Sequence, residues 1–115
     1  MAMMADNIFQ KIIDRQIPAR IVHEDELSLA FHDAQPQAPT HLLIIPKKPI
    51  RTHRDIADED QALLGHLHLV ARNLAAAAGL DSYRLALNCE VGAGQTVPHL
   101  HLHLLGGRTF GWPPG

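Results

Sequence analysis

The chain has few cysteines and no excess of basic residues, which excludes several classes of protein. Its single cysteine, Cys89, excludes an internal disulfide bond, and we expect a small buried or half-buried side chain at this position. Ten Lys and Arg residues against twelve Asp and Glu residues give a net charge of −2. This balance argues against a protein that wraps DNA or RNA, because such proteins need a basic stripe. A small phosphate ligand in a locally positive pocket remains compatible with it.

Long apolar runs and targeting features are also missing. No stretch approaches the roughly 18 apolar residues of a membrane span, and residues 1–6 lack the charged and apolar regions of a secretory signal. We therefore expect a cytoplasmic protein without membrane contacts, in which residues 1–6 are disordered. The length of 115 residues, with 46% hydrophobic and 19% charged residues, fits a single domain over residues 1–115.

The most distinctive stretch, residues 98–107, alternates histidine with leucine. Successive side chains of an extended strand point to opposite faces, so this pattern predicts a strand with imidazoles on one face and leucines on the other. The pair Gly106–Gly107 is a turn signal that ends the strand. The histidines are His99, His101 and His103, and the leucines are Leu100, Leu102 and Leu104.

Three imidazoles on one face have three possible uses. They can form a solvated or hydrogen-bonded surface, although nothing structural calls for imidazole three times. They can bind a metal such as zinc, although three on one straight strand span too far to converge on one ion. They can also carry out covalent chemistry on phosphorus, in which one imidazole attacks while its neighbours hold oxygens and manage protons.

The loop over residues 90–97 precedes this stretch and is rich in glycine. It is either a flexible turn between antiparallel strands or a phosphate cradle. Glycines such as Gly94 let backbone N–H groups approach an anion, and Thr96 adds a hydroxyl group.

Apolar periodicity predicts the remaining elements. We expect a short helix over residues 7–16, capped by Asp6, and a long helix over residues 58–78 that begins with a capping box of Asp58 and Gln61. The obvious partner of the long helix is the leucine face of the strand predicted within residues 98–107. The other predicted strands cover residues 20–24, 27–32, 41–45 and 82–88.

A series of motifs along nearly the whole chain resembles the histidine triad (HIT) superfamily, and within it the histidine triad nucleotide-binding (Hint) branch. The sequence His99–Leu105 matches the triad signature, and the lead-in Gly94–Val97 with the tail Trp112–Gly115 favours the Hint branch. The other matching segments are Phe31–Asp33, Pro36–His41, Ile45–Lys48 and Leu63–Leu67.

The resemblance implies an α+β fold. We expect a HIT-like antiparallel sheet of about five strands with one long and one short helix. It also implies a homodimer with a continuous sheet, in which the tail 107–115 lies at the dimer interface and Trp112 borders the partner's site.

The resemblance further implies hydrolysis of a purine nucleoside 5'-phosphoramidate through a covalent nucleotidyl-histidine, with no metal and no cofactor. His101 would be the nucleophile, and His103 would stabilise charge on the phosphoryl oxygens. His41 would orient the triad, and Thr96 or His99 would protonate the leaving nitrogen. The ligand would be a purine nucleoside monophosphate or its amine conjugate, with Asp33 on the ribose. The nucleotide-binding residues would be Ile8, Phe9, Ile12, Phe31, Asp33, Ala34, Asn88, Gly94, Gln95, Thr96, His101 and His103.

Three other functions remain open at this point. The chain could be a nucleotide-binding regulatory or scaffold module, a zinc hydrolase, or a dinucleoside polyphosphate hydrolase. A regulatory or scaffold module would keep its function in the cell after loss of His101. A zinc hydrolase would lose activity with a chelator, and a dinucleoside polyphosphate hydrolase would prefer dinucleoside polyphosphates to an AMP–amine conjugate.

Overall fold

A computed structural model of the protein describes residues 3–115 and contains a five-stranded antiparallel sheet with strand order β1-β2-β3-β5-β4. This arrangement confirms the expected α+β fold with one short and one long helix. The strands are β1 (Ile21–Glu24), β2 (Ser28–His32), β3 (Thr40–Pro46), β4 (Tyr83–Ala86) and β5 (Leu102–Gly106). The helices are α1 (Ile8–Ile13) and α2 (Gln61–Ala77).

The core consists of two layers, one on each face of the sheet. The buried side of α2, which includes Leu67 and Val70, packs against one face, and Leu100, Leu102 and Leu104 belong to the same cluster. This packing confirms that the leucines of the triad stretch face the long helix. Burial of each such side chain contributes roughly 1.5–3 kcal/mol.

The second layer lies under α1. Phe9 and Ile12 pack against Leu43 and Ile45 of β3, while the alternate residues of β3 face α2. The central strand is therefore buried on both faces, as its continuous apolar sequence indicates.

The turn between β1 and β2 is fastened to α2 through the carboxylate of Asp25. This carboxylate accepts hydrogen bonds from the Leu27 and Ser28 amides, the Ser28 hydroxyl group and the rings of His23 and His66. Burial alone would raise the pKa of Asp25, but these hydrogen bonds hold the pKa well below its usual range. The hairpin and α2 are thus joined through this carboxylate.

The starts of both helices differ from the sequence prediction. The N-cap of α1 is Asn7 rather than Asp6, because the Asn7 side chain accepts a hydrogen bond from the Gln10 amide. The predicted capping box of Asp58 and Gln61 is wrong, since residues 58–60 form a 3₁₀ turn and α2 begins at Gln61.

The acidic residue that anchors the start of α2 is Asp60. Its carboxylate accepts hydrogen bonds from the Ala57 amide and from Nζ of Lys48, which follows β3 by two residues. The ion pair of Lys48 with Asp60 therefore links the sheet to the helix.

The two ends of the chain make different contacts. Met1 and Ala2, part of the segment expected to be disordered, lie outside the described residues, whereas the Met4 amide donates to the Thr96 carbonyl over 2.7 Å. At the other end the ring of Phe110 contacts the guanidinium groups of Arg84 and Arg108, and Trp112 is 84% exposed. Within residues 3–115, no helix is long and apolar enough to cross a membrane.

Candidate active site

A cavity of about 830 Å³ opens beside α1. One wall is apolar and comes from Ile8, Phe9, Ile12 and Phe31. The remaining walls combine Arg20, the end of β2 with the loop that follows it, the 94–97 loop, and the histidines of β3 and of the triad stretch. The polar and small residues on these walls are Ala19, Arg20, His32, Asp33, Ala34, Gln35, Gln37, His41, Gly94, Thr96, His101 and His103.

The ring of His101 is fixed by the backbone two residues earlier. Its Nδ1 donates to the carbonyl oxygen of His99 over 2.7 Å. In a neutral imidazole only one nitrogen carries a proton, so this hydrogen bond leaves a free lone pair on Nε2. The edge-on ring of Phe9, with its centroid 5.0 Å away, packs against the same imidazole. His101 therefore presents an unprotonated nitrogen on a ring that cannot easily turn.

His41 and His103 belong to a chain of hydrogen bonds that begins at the Gln37 amide, and we call this chain the relay. The Gln37 amide donates to His41 Nδ1 over 3.0 Å, so the proton of neutral His41 is on Nε2. His41 Nε2 then donates to His103 Nδ1 over 2.9 Å, which places the proton of His103 on its own Nε2. One backbone amide thus determines the tautomers of two histidines.

His103 Nε2 ends this relay without a partner. Within residues 3–115 it is the one buried side-chain nitrogen or oxygen that makes no hydrogen bond. A buried donor left unpaired costs about 1–3 kcal/mol. An acceptor oxygen on a ligand in the cavity would recover this energy.

Burial keeps these histidines neutral. It lowers the pKa of His103 to about 4, with further lowering from His101 and His41 and an opposing effect of Asp33. Burial also lowers the pKa of His101 and His41, in both cases partly opposed by Asp33. At neutral pH the site therefore offers uncharged imidazoles, which can act as nucleophile and hydrogen-bond donor.

His99 lies behind the cavity wall, which corrects the expectation that it is presented to the substrate beside His101 and His103. It is fully buried and absent from the cavity wall, because the regular strand begins only at Leu102. Its Nε2 donates to the Pro46 carbonyl over 2.8 Å, and its Nδ1 accepts from Asn7 Nδ2 over 2.8 Å. Of the two candidate proton donors, only Thr96 lines the cavity.

Some residues of the 94–97 loop line the cavity, and others hold the loop in place from behind. Gly94, with φ of +98°, and Thr96 line the cavity. Gln95 is 1% exposed and braces the loop instead, since its side chain bonds to the backbone of Arg51, Glu90 and Val97.

Asn88, expected to contact the nucleotide, is half-buried beside the loop rather than on the cavity wall. A Cβ added to Gly94 would lie 3.5 Å from Asn88 Nδ2. Such a contact is of ordinary length, so glycine is favoured here by its φ of +98° rather than by lack of space.

Asp33 occupies the rim between the relay and the loop after β2. Its Oδ1 accepts from the Gln35 amide over 2.8 Å, and its Oδ2 lies 3.4 Å from His41 Nε2. Ligand atoms of Asp33, His41 and His103 lie within 4.8 Å of one another and could hold a metal ion. The direct hydrogen bond between the two imidazoles occupies nitrogens that a metal would need, so the geometry favours a proton relay.

Two residues that support the site, Asn7 and Gln37, were missed by the sequence analysis. Asn7 before an apolar helical pattern signals only an N-cap, and its partner His99 is 92 positions away. Gln37 acts through its backbone amide, so its side-chain identity carries no signal of the role.

Comparisons with known proteins agree with this architecture. The model of the HIT domain family matches residues 14–110. An uncharacterised HIT-like protein from Synechocystis is 58% identical over 98% of this chain and all of its own length.

Two solved structures extend the comparison. A HIT family hydrolase from Legionella pneumophila is 54% identical, with a TM-score of 0.93 over 96% of this chain and all of its own. A histidine triad nucleotide-binding protein from Candida albicans is 31% identical, with a TM-score of 0.81 over 96% of this chain and 85% of its own.

Proposed function

Because the chain belongs to the HIT domain family, we propose that it is a Hint-branch hydrolase of purine nucleoside 5'-phosphoramidates. The fold is that of HIT family hydrolases, and the proposal adds the substrate class. The reaction would break the P–N bond between AMP, or another purine nucleotide, and an amine.

The cavity walls suit the three parts of such a substrate. The apolar surface of Ile8, Phe9 and Phe31 would pack against the base. The Asp33 carboxylate can accept hydrogen bonds from both ribose hydroxyl groups. His103 Nε2, an N–H group without a partner, would donate to a phosphoryl oxygen.

In the first step His101 Nε2 would attack phosphorus with its free lone pair. A bond forms between Nε2 and phosphorus, the P–N bond to the amine breaks, and the leaving nitrogen takes up a proton. Thr96, on the cavity wall, is our candidate to deliver this proton. Water then attacks phosphorus, the bond between phosphorus and Nε2 breaks, and one proton of the water returns to Thr96. This step releases the nucleoside monophosphate and restores neutral His101.

One observation carries the proposal. His101 has its Nδ1 fixed by a backbone carbonyl and its Nε2 free, next to an N–H donor without a partner on His103. This pair supplies a nucleophile and a stabilising donor for a phosphoryl group without an ion to activate water. A Candida albicans relative described as nucleotide-binding is consistent with the same ligand class.

The direct test compares kcat/KM for an AMP–amine phosphoramidate with kcat/KM for dinucleoside tri- and tetraphosphates, with and without EDTA. We expect the phosphoramidate to be preferred by at least about tenfold, which is about 1.4 kcal/mol in transition-state stabilisation, and EDTA to have no effect. A preference for the dinucleoside polyphosphates, or loss of activity in EDTA, would contradict the proposal.

We also propose that the protein is a homodimer with a sheet continuous across both copies. The strand β4 lies at an edge of the described sheet and carries Tyr83 and Leu85, which are 40% and 36% exposed. Sedimentation velocity of the wild type should give about twice the mass of one chain. The double variant Tyr83→Lys, Leu85→Lys should sediment as a monomer, because like charges would meet at the paired edge.

A further inference from the structure

Asn7 connects α1 to the first histidine of the triad. Its Oδ1 accepts from the Gln10 amide over 3.0 Å, and its Nδ2 donates to His99 Nδ1 over 2.8 Å. One side chain therefore both caps the helix that lines the cavity and contacts the imidazole behind the cavity.

The helix cap fixes which atom of Asn7 faces His99. Because Oδ1 is used by the Gln10 amide, the NH₂ group points at the imidazole and His99 Nδ1 must accept. The proton of neutral His99 is then on Nε2, where it donates to the Pro46 carbonyl over 2.8 Å. Both ring nitrogens are satisfied in a residue with no exposed surface.

The backbone of His99 is in turn what holds His101. The carbonyl oxygen of His99 accepts the Nδ1–H of His101 over 2.7 Å. A rotation or displacement of His99 would move this oxygen and release the ring of His101.

From these contacts we propose that Asn7 is a positioning residue of the active site, which holds His99 in its Nε2–H tautomer and thereby fixes the carbonyl that orients His101. The catalytic consequence rests on the proposed function, because it takes His101 as the nucleophile. The effect on His99 itself does not depend on any substrate.

Two substitutions preserve the helix cap and alter only the contact with His99. Asn7→Asp keeps an oxygen for the Gln10 amide but replaces the NH₂ donor by a second acceptor. His99 Nδ1 must then carry a proton while Nε2 still faces the Pro46 carbonyl, so we expect a doubly protonated ring. Asn7→Ser keeps a cap oxygen, but its shorter side chain does not reach His99.

The measurement is ¹H–¹⁵N NMR of the histidine rings in the full-length protein at pH 7.5, together with kcat and KM for the phosphoramidate. In the wild type His99 should carry a proton on Nε2 alone, and in Asn7→Asp on both nitrogens. We expect kcat to fall about 10- to 100-fold in both variants, as for a modest displacement of a catalytic group, with KM changed less than about threefold because His99 is not on the cavity wall.

A role of Asn7 as helix cap alone predicts wild-type His99 signals and wild-type kcat in both variants, and that result would overturn the proposal. An altered His99 with unchanged kcat and an unchanged His101 Nδ1–H signal would overturn it as well. If the wild type proved inactive on phosphoramidates, the proposed function would fail, whereas the NMR signals of His99 and His101 would still decide the role of Asn7.

Discussion

The rings of His101 and His103 lie 4.9 Å apart and present opposite chemistry to one cavity. His101 offers a lone pair on Nε2, and His103 offers an N–H group on its Nε2. In each ring the hydrogen-bond partner of Nδ1 determines whether Nε2 carries a proton. In each case the chain of hydrogen bonds starts at a backbone group, which makes the arrangement independent of a metal or a bound water.

The relay through His41 leads to a first prediction. In His41→Ala the Nδ1 of His103 loses its donor, so His103 can place its proton on either nitrogen and no longer holds a donor on Nε2. We expect kcat on the phosphoramidate to fall about 10- to 100-fold, the effect of losing about 1.4–2.7 kcal/mol of transition-state stabilisation. Steady-state kinetics measure this loss.

The control for this variant is His68→Ala, which removes an exposed imidazole on α2. It should keep wild-type kcat. Equal activity of the His41 and His68 variants would show that the tautomer of His103 does not matter.

The pH dependence of stability gives a second prediction. Burial lowers the pKa of His103 to about 4 from its ordinary value of 6.5, and the pKa values of His41, His99 and His101 are lowered too. Between these values the unfolded chain binds protons that the folded chain does not, so the free energy of unfolding must decrease as pH falls from about 6.5 towards 4. For His103 alone the decrease is about 3 kcal/mol.

Urea unfolding at pH values from 4.5 to 8 measures this slope. Above pH 7 the free energy of unfolding should level off, because the histidines are then neutral in both states. The variant His103→Asn should show a shallower slope than the wild type, while His68→Asn should not. Stability that stayed constant down to pH 4.5 would contradict the assignment of buried neutral histidines.

The periodic features of the sequence are the ones that could be predicted. Alternation of histidine and leucine places Leu100, Leu102 and Leu104 under α2, and the helical spacing of Leu67 and Val70 places α2 over them. The local periodicity of apolar residues indicates which face of a strand or helix is buried.

The features that were missed depend on pairs far apart in the chain. His99 and His101 both precede a leucine, yet Asn7 and the Pro46 carbonyl hold His99 behind the cavity wall. The start of α2 is likewise set by the contact of Asp60 with Lys48 rather than by the capping box that the local sequence suggests. Local patterns contain no information on these partners.

A third prediction separates the scaffold from the site. Asp25→Ala removes the acceptor shared by two amides, one hydroxyl group and two imidazoles on the α2 side of the sheet. We expect the free energy of unfolding to fall by about 2–4 kcal/mol, as measured by urea titration. Because none of these groups lines the cavity, the kcat of the folded variant should equal that of the wild type. A selective loss of kcat without loss of stability would show that this cluster takes part in the reaction.

The C-terminal tail gives a fourth prediction. Phe110 is held by the guanidinium groups of Arg84 and Arg108, whereas Trp112 is almost entirely exposed. Deletion of residues 109–115 should therefore change the order of preference among leaving amines more than it changes the midpoint of thermal unfolding. Relative kcat/KM values over a series of small and bulky amines test this. An unchanged order of preference would reject a role of the tail near the leaving group.

The most direct test of His101 as nucleophile is to mix the enzyme rapidly with a phosphate-labelled AMP–amine phosphoramidate and to quench it in an alkaline denaturant, which preserves the acid-labile P–N bond, before peptide mapping at alkaline pH. We expect a labelled nucleotide on His101, formed and lost at rates consistent with turnover, and no label in His101→Ala at unchanged nucleotide affinity. Label on another residue, or full turnover in His101→Ala, would contradict this role of His101.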